Sequence, residues 1–244
     1  MIEAGFNKPY WWDGNLAWLR KQRRLWQDGK LAYAYREMIG ISGHRMYERL
    51  EKLLLSPTFF EGVDIDPSVL MEHALAGLDG LSKKRPFRLV YADFFASTAE
   101  RARMPNLPLG VVNADAQNAV TTAFWQAHAP ILGQIVASGI LTCPAFTLIL
   151  NLPADIGSGK GMTFDRQLAV FAEGFVATFP GWNLRASDFL RGAEGAGDRT
   201  APLDSPPLKV GRFDIYRSEN RRVRMITVRA TFQKKRRLVL FDER

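Results

Sequence analysis

Apolar positions along this chain change spacing several times, and each change predicts an element. Residues 145–152, AFTLILNL, are a nearly unbroken run of β-forming side chains, the pattern of a strand covered on both faces. Shorter runs at 58–65 (TFFEGVDI), 87–95 (FRLVYADFF) and 109–116 (LGVVNADA) predict three more strands. Between them the apolar spacing widens to that of helices, at SVLMEHALAGL (68–78), TTAFWQAHAPILGQIVASGI (121–140) and FDRQLAVFAEGFVATF (164–179). Asp66 and Pro67 supply an N-cap and a first helical residue, and Pro130 is placed to kink its helix. Residues 44–55 put Met46, Tyr47, Leu50, Leu53 and Leu54 on one helical face, and Ser56-Pro57 stops that helix. Residues 15–37 read as an amphipathic helix broken near Asp28-Gly29.

Near the end, RFDIYRS and RVRMITVRATF alternate with period two around the turn ENR, which predicts a β-hairpin. The Gly/Pro/Asp-rich stretch before it, centred on 191–209, reads as a mobile surface loop. Strands alternating with helices imply parallel strands joined by right-handed crossovers. The expected fold class is therefore α/β, a mostly parallel sheet with helices on both faces and a C-terminal antiparallel hairpin. Residues 31–244 make up this domain, preceded by a helical, aromatic arm over 1–30. The arm carries Phe6, Tyr10, Trp11, Trp12 and Trp18, which either pack on the domain or stack on bases. Such a sheet places its ligand beyond the carboxyl ends of its strands.

Composition narrows the setting. The 244 residues are 47% hydrophobic, enough for one large core. The one cysteine, Cys143, excludes an intramolecular disulfide and reads as a core residue. His44, His73 and His128 are too far apart to suggest a metal site. No apolar run is long enough to span a membrane, and no basic, apolar leader opens the chain, so a cytoplasmic location is expected. The net charge of +8 gathers at 20–24, 82–88 and 221–237. It points to an anionic partner, nucleic acid first, or to a solvated basic surface. No zinc-finger or RNP motif accompanies it. The segment ADIGSGKGMT has no glycine at the first position of a phosphate-binding loop and no Ser or Thr after Lys160.

Three motifs carry chemistry. EMIGISG spaces Glu37, Gly40 and Gly43 either as a glycine loop after a strand or as a glycine pair inside a helical hairpin. EGVDIDPS ends a strand with Asp64 and Asp66, and Asp64 lies 21 residues after Gly43. An acid at about that distance from a glycine loop grips ribose hydroxyls in dinucleotide folds. YADFF ends another strand with Asp93 and Phe94. Order and motifs together resemble the class I, Rossmann-like, S-adenosylmethionine-dependent methyltransferases, over roughly residues 31–235.

The resemblance implies S-adenosyl-L-methionine as cofactor. Glu37, Gly40 and Gly43 would lie at its methionine end, Asp64 on its ribose, and Asp93 with Phe94 at its adenine. The residues alone equally describe Asp93 as a loop acid beside core phenylalanines. At the fourth strand the resemblance makes Asn113 and Asp115 the candidates for substrate contact and catalysis, and Lys160 a contact for an anionic substrate. Without the resemblance, Asn113 and Asp115 read as caps of the helix starting near Thr121 or as the turn before it. Amino-methylating members carry two prolines and an aromatic after that Asn or Asp, whereas this chain has Ala114-Asp115-Ala116. Two functions follow: a methyltransferase acting on nucleic acid or another anionic substrate, or an inactive methyltransferase-like protein that binds nucleic acid or a protein partner.

Overall fold

The computed structural model describes residues 13–21, 33–39, 59–76, 87–116, 120–143, 145–154, 162–180, 199–203, 209–217 and 224–233. Among the described residues, eight strands form one sheet: β1 (Ala34–Met38), β2 (Phe59–Asp64), β3 (Phe87–Tyr91), β4 (Leu109–Asp115), β5 (Ala145–Pro153), β6 (Arg199–Leu203), β7 (Lys209–Arg217) and β8 (Arg224–Gln233). Their order is β3-β2-β1-β4-β5-β8-β7-β6. The first five run parallel. β8 lies antiparallel to β5 and closes the predicted hairpin with β7. The α/β fold class is therefore as the pattern of the sequence predicts.

Three expectations change in detail. Residues 34–38, inside the stretch whose spacing reads as an amphipathic helix, form β1, the strand expected before EMIGISG. Five residues of the stretch read as a loop form the edge strand β6, paired with β7. The strand expected over 87–95 stops at Tyr91, because Asp93 caps a helix that begins at Phe94. The predicted helix over 44–55, and Trp11 and Trp12 of the arm, lie outside the described residues.

The helices are α1 (residues 13–21), α2 (Pro67–Ala76), α3 (Phe94–Ala102), α4 (Thr122–Thr142) and α5 (Phe164–Thr178). Four of them begin on a side chain that accepts a hydrogen bond from a backbone N–H of the first turn: Asp66 for α2, Asp93 for α3, Thr121 for α4 and Thr163 for α5. Pro130 lies inside α4.

Strand alternation sends side chains to two faces. On one face Val63, Val112, Leu148, Leu150 and Val228 meet α3, α4 and α5 through Phe95, Ile135, Phe171 and Phe175. On the other, Tyr35, Phe60, Val111 and Ile149 are covered by Leu16 and Leu19 of α1 and by Val69 and Leu70 of α2. Tyr35, Phe60 and Phe87 stack in a row across β1, β2 and β3, with centroids 5.5 and 5.4 Å apart. Trp18 packs in this layer and its indole N–H donates to Thr231 Oγ1 over 3.1 Å. Arg229, fully buried in β8, donates from Nε to Asn15 Oδ1 at 2.6 Å. α1 is thus built into the face of the sheet, and Trp18 is spent on packing.

Backbones approach closely at two helical glycines. A Cβ on Gly139 would come within 2.3 Å of the Phe146 ring, and one on Gly174 within 2.3 Å of the Trp125 ring. Among the described residues no helix is long and apolar enough to cross a membrane.

Candidate active site

The strand order reverses between β1 and β4: β2 and β3 lie on one side, β5 and β8 on the other. Connections from the two strands lead to opposite sides of the sheet, and in sheets of this kind the ligand site lies beyond the carboxyl ends at such a point. Asp64 ends β2 on one side of this switch point, and Asp115 ends β4 beside it.

Asp64 is half-buried, and its Oδ1 accepts the backbone N–H of Asp66 at 2.8 Å. This short turn sets the carboxylate before any ligand arrives. Asp66 does a different task. Its Oδ1 accepts from the backbone N–H of Ser68 at 2.8 Å and from the Ser68 hydroxyl at 2.7 Å, capping α2. Those two bonds hold the exposed Asp66 carboxyl below its ordinary range. Two large apolar side chains flank Asp64 and face solvent: Ile65, 67% exposed, and Tyr91, 69% exposed, whose Cα is the register partner of Asp64 on β3.

The remaining candidates separate by depth. Glu37 lies in β1, 2% exposed. Asn113, fully buried in β4, is its register partner and donates from Nδ2 to the Tyr35 hydroxyl at 2.8 Å. Burial, and then the Glu37 charge, push the Tyr35 phenol well above its ordinary value, so it stays a neutral hydroxyl. Asn113 is therefore two residues inside the strand end. Asp93 accepts the backbone N–H of Ala96 at 2.8 Å as the cap of α3. Phe94 is 4% exposed, its ring edge-on to Phe95 at 5.5 Å. Gly40, Gly43 and Lys160 lie outside the described residues.

Asp115 does not cap α4; Thr121 does. Its Oδ1 accepts instead from Asn151 Nδ2 at 2.7 Å, and Asn151 Oδ1 accepts from the Thr227 hydroxyl. Sequence reasoning passed over Asn151 and Thr227, as it did Ile65 and Tyr91. The one signal for Asn151 was a lone amide near the end of the apolar run AFTLILNLP.

Beneath the edge lies a buried charge cluster that joins β1, β2 and α3. Glu61 receives Arg36 Nη1 at 2.5 Å and Arg101 Nε at 2.7 Å. Arg36 also donates to Thr98 Oγ1 at 2.9 Å and Ser97 Oγ at 2.7 Å. Burial lowers the Arg36 guanidinium from its ordinary value, and the bond to Glu61 opposes that. The cluster ties the strand carrying Asp64 to its neighbours.

No protein-family model and no curated protein sequence matches the chain. Among solved structures it is similar to human methyltransferase-like protein 13 in complex with SAH, at 18% identity and TM-score 0.46, covering 91% of this chain and 80% of that one. It is similar to magnesium protoporphyrin IX methyltransferase of Synechocystis with bound SAM, at 10% identity and TM-score 0.45, covering 91% and 78%. It is also similar to TrmN of Thermus thermophilus, at 13% identity and TM-score 0.39; the match covers 83% of this chain but spans only 44% of the length of TrmN.

Proposed function

We propose that the chain binds S-adenosyl-L-methionine across the carboxyl edge of the sheet and transfers its methyl group to an acceptor beside Asp115. One observation carries this reading. Asp64 is half-buried at the end of β2, preset by its own turn, and flanked by the exposed Ile65 and Tyr91. A carboxylate with exposed Ile65 and Tyr91 as neighbours suits a ribose joined to a flat base: the acid accepts from the hydroxyls and the large side chains offer apolar surface to the ring. Asp93 stands at the start of α3, within the same edge, for the adenine. The cofactor supplies a reactive methyl group. The protein's part is to hold it in line with the acceptor, which converts a bimolecular reaction into one between positioned groups. The net charge of +8 favours a nucleic acid or another anionic acceptor, with Lys160 a candidate contact. A cytoplasmic setting suits the single, buried thiol of Cys143.

Titration calorimetry with S-adenosylmethionine and S-adenosylhomocysteine tests the reading. The wild type binds both. Asp64→Ala removes charge-assisted hydrogen bonds and weakens binding by about 10- to 100-fold. Asp66→Ala removes a helix cap and leaves affinity within about twofold. Absence of binding at millimolar cofactor, or the opposite ranking of the two variants, defeats the proposal.

A further inference from the structure

Asp115, Asn151 and Thr227 stand in one row. They are directly opposed on three consecutive strands: Asp115 pairs with Asn151 between β4 and β5, and Asn151 pairs with Thr227 between β5 and β8. Their side chains therefore emerge on the same face. Burial falls along the row: Thr227 is 0% exposed, Asn151 1%, and Asp115 is half-buried at the edge. The direction of the chain of hydrogen bonds is fixed by chemistry. A carboxylate only accepts, so the Asn151 amide must turn its NH2 toward Asp115. That leaves Asn151 Oδ1 facing Thr227, which must then donate its hydroxyl proton.

We infer that Asn151 and Thr227 are positioning residues that hold the Asp115 carboxylate in one orientation at the methyl-transfer edge. The inference rests on the reading of Asp115 given above. A hydrogen-bonded pair confined to a strand needs no partner at the edge. This row instead ends on a half-buried acid at the carboxyl end of β4, with its anchor in the core. An acceptor that carries an N–H or O–H fits such an acid. As its lone pair forms the bond to the methyl carbon, the carbon–sulfur pair stays on sulfur, and the acceptor's proton passes to the Asp115 carboxylate.

The test uses the full chain and Thr227→Val, which keeps the shape and removes the donor, with Thr227→Ser as the rescue. Side-chain amide NMR, with Asn151 assigned by its loss in Asn151→Ala, reports the row directly. In the wild type the Asn151 Nδ2 protons exchange slowly. Thr227→Val accelerates that exchange by about tenfold, the loss of one ordinary hydrogen bond, and Thr227→Ser restores it. Tritium transfer from labelled S-adenosylmethionine to total RNA gives the functional arm. There Thr227→Val lowers kcat about tenfold at unchanged KM for the cofactor, and Thr227→Ser recovers it. Unchanged Asn151 exchange in a folded Thr227→Val protein, or transfer at the wild-type rate by that variant, overturns the inference. A wild type that binds no cofactor overturns the reading of the site instead, and the amide measurement still decides whether the row holds Asp115.

Discussion

Glu61→Leu is the sharpest perturbation of this fold. It leaves Arg36, 2% exposed, and Arg101, 6% exposed, facing one another with no anion between them. Two contacts of 2.5 and 2.7 Å disappear together. Each is a hydrogen bond between charged groups, worth about 1.5–3 kcal/mol. Breaking a buried ion pair by removing one member costs about 3–5 kcal/mol, since the remaining charge has no solvent to turn to. The bonds from Arg36 to Ser97 and Thr98 persist and keep the loss near that range rather than above it. For a domain of about this size the melting temperature falls by about 2–4 °C per kcal/mol, giving a drop of about 6–20 °C.

Urea melts of the wild type and variant at constant slope measure the loss. The triple variant Arg36→Met, Glu61→Leu, Arg101→Met completes the argument. It replaces three buried charges with apolar groups of similar volume, so most of the lost stability returns. A Glu61→Leu protein within about 1 kcal/mol of wild type refutes the reasoning, because a truly buried triad cannot lose its anion so cheaply. So does a triple variant as unstable as the single one, which would mean that shape rather than charge sets the cost.

Two further outcomes follow from local geometry. The folded Asp66 carboxyl is held below its ordinary value by Ser68, so its contribution is present above the unfolded value and is lost as pH falls through the folded one. Denaturant midpoints should show Asp66→Ala below wild type at neutral pH and the gap closing below about pH 4; a gap constant with pH contradicts the cap. At Gly139 and Gly174 a methyl group meets an aromatic ring at 2.3 Å, so Gly139→Ala or Gly174→Ala costs about 1–3 kcal/mol by overpacking despite the gain in helix propensity. Thermal melts that show either variant stabilised contradict the packing described between α4 and β5 or between α5 and α4.

Much of the site's frame was legible in the chain because it depends on neighbours in sequence. Asp66 and Pro67 announce their own helix, and Asp66 caps it. The runs that became β4 and β5 are apolar because both faces are covered, and their burial is complete or nearly so. Apolar spacing obscured β1, which only the motif after it suggested. AYREM carries two charges, which imitates an amphipathic helix. In the sheet Arg36 turns to one face and meets Glu61, 25 residues later, while Tyr35 turns to the other and stacks on Phe60. No local spacing reports a charge neutralised across a strand pair.

By itself the sequence determined the alternation of strands and helices from β2 to α5, apart from α3, together with the parallel character of the sheet, the closing hairpin and the presence of an acid at the end of β2. These follow from period, capping and the handedness of crossovers, which act over a few residues or one connection. Only the tertiary structure decided which acids meet which partners. Asp115 and Asn151 are 36 residues apart, and Asn151 and Thr227 are 76 apart. The pairing of β4, β5 and β8 brings them into one row, because strand register sets which side chains stand opposite one another wherever their positions fall in the chain.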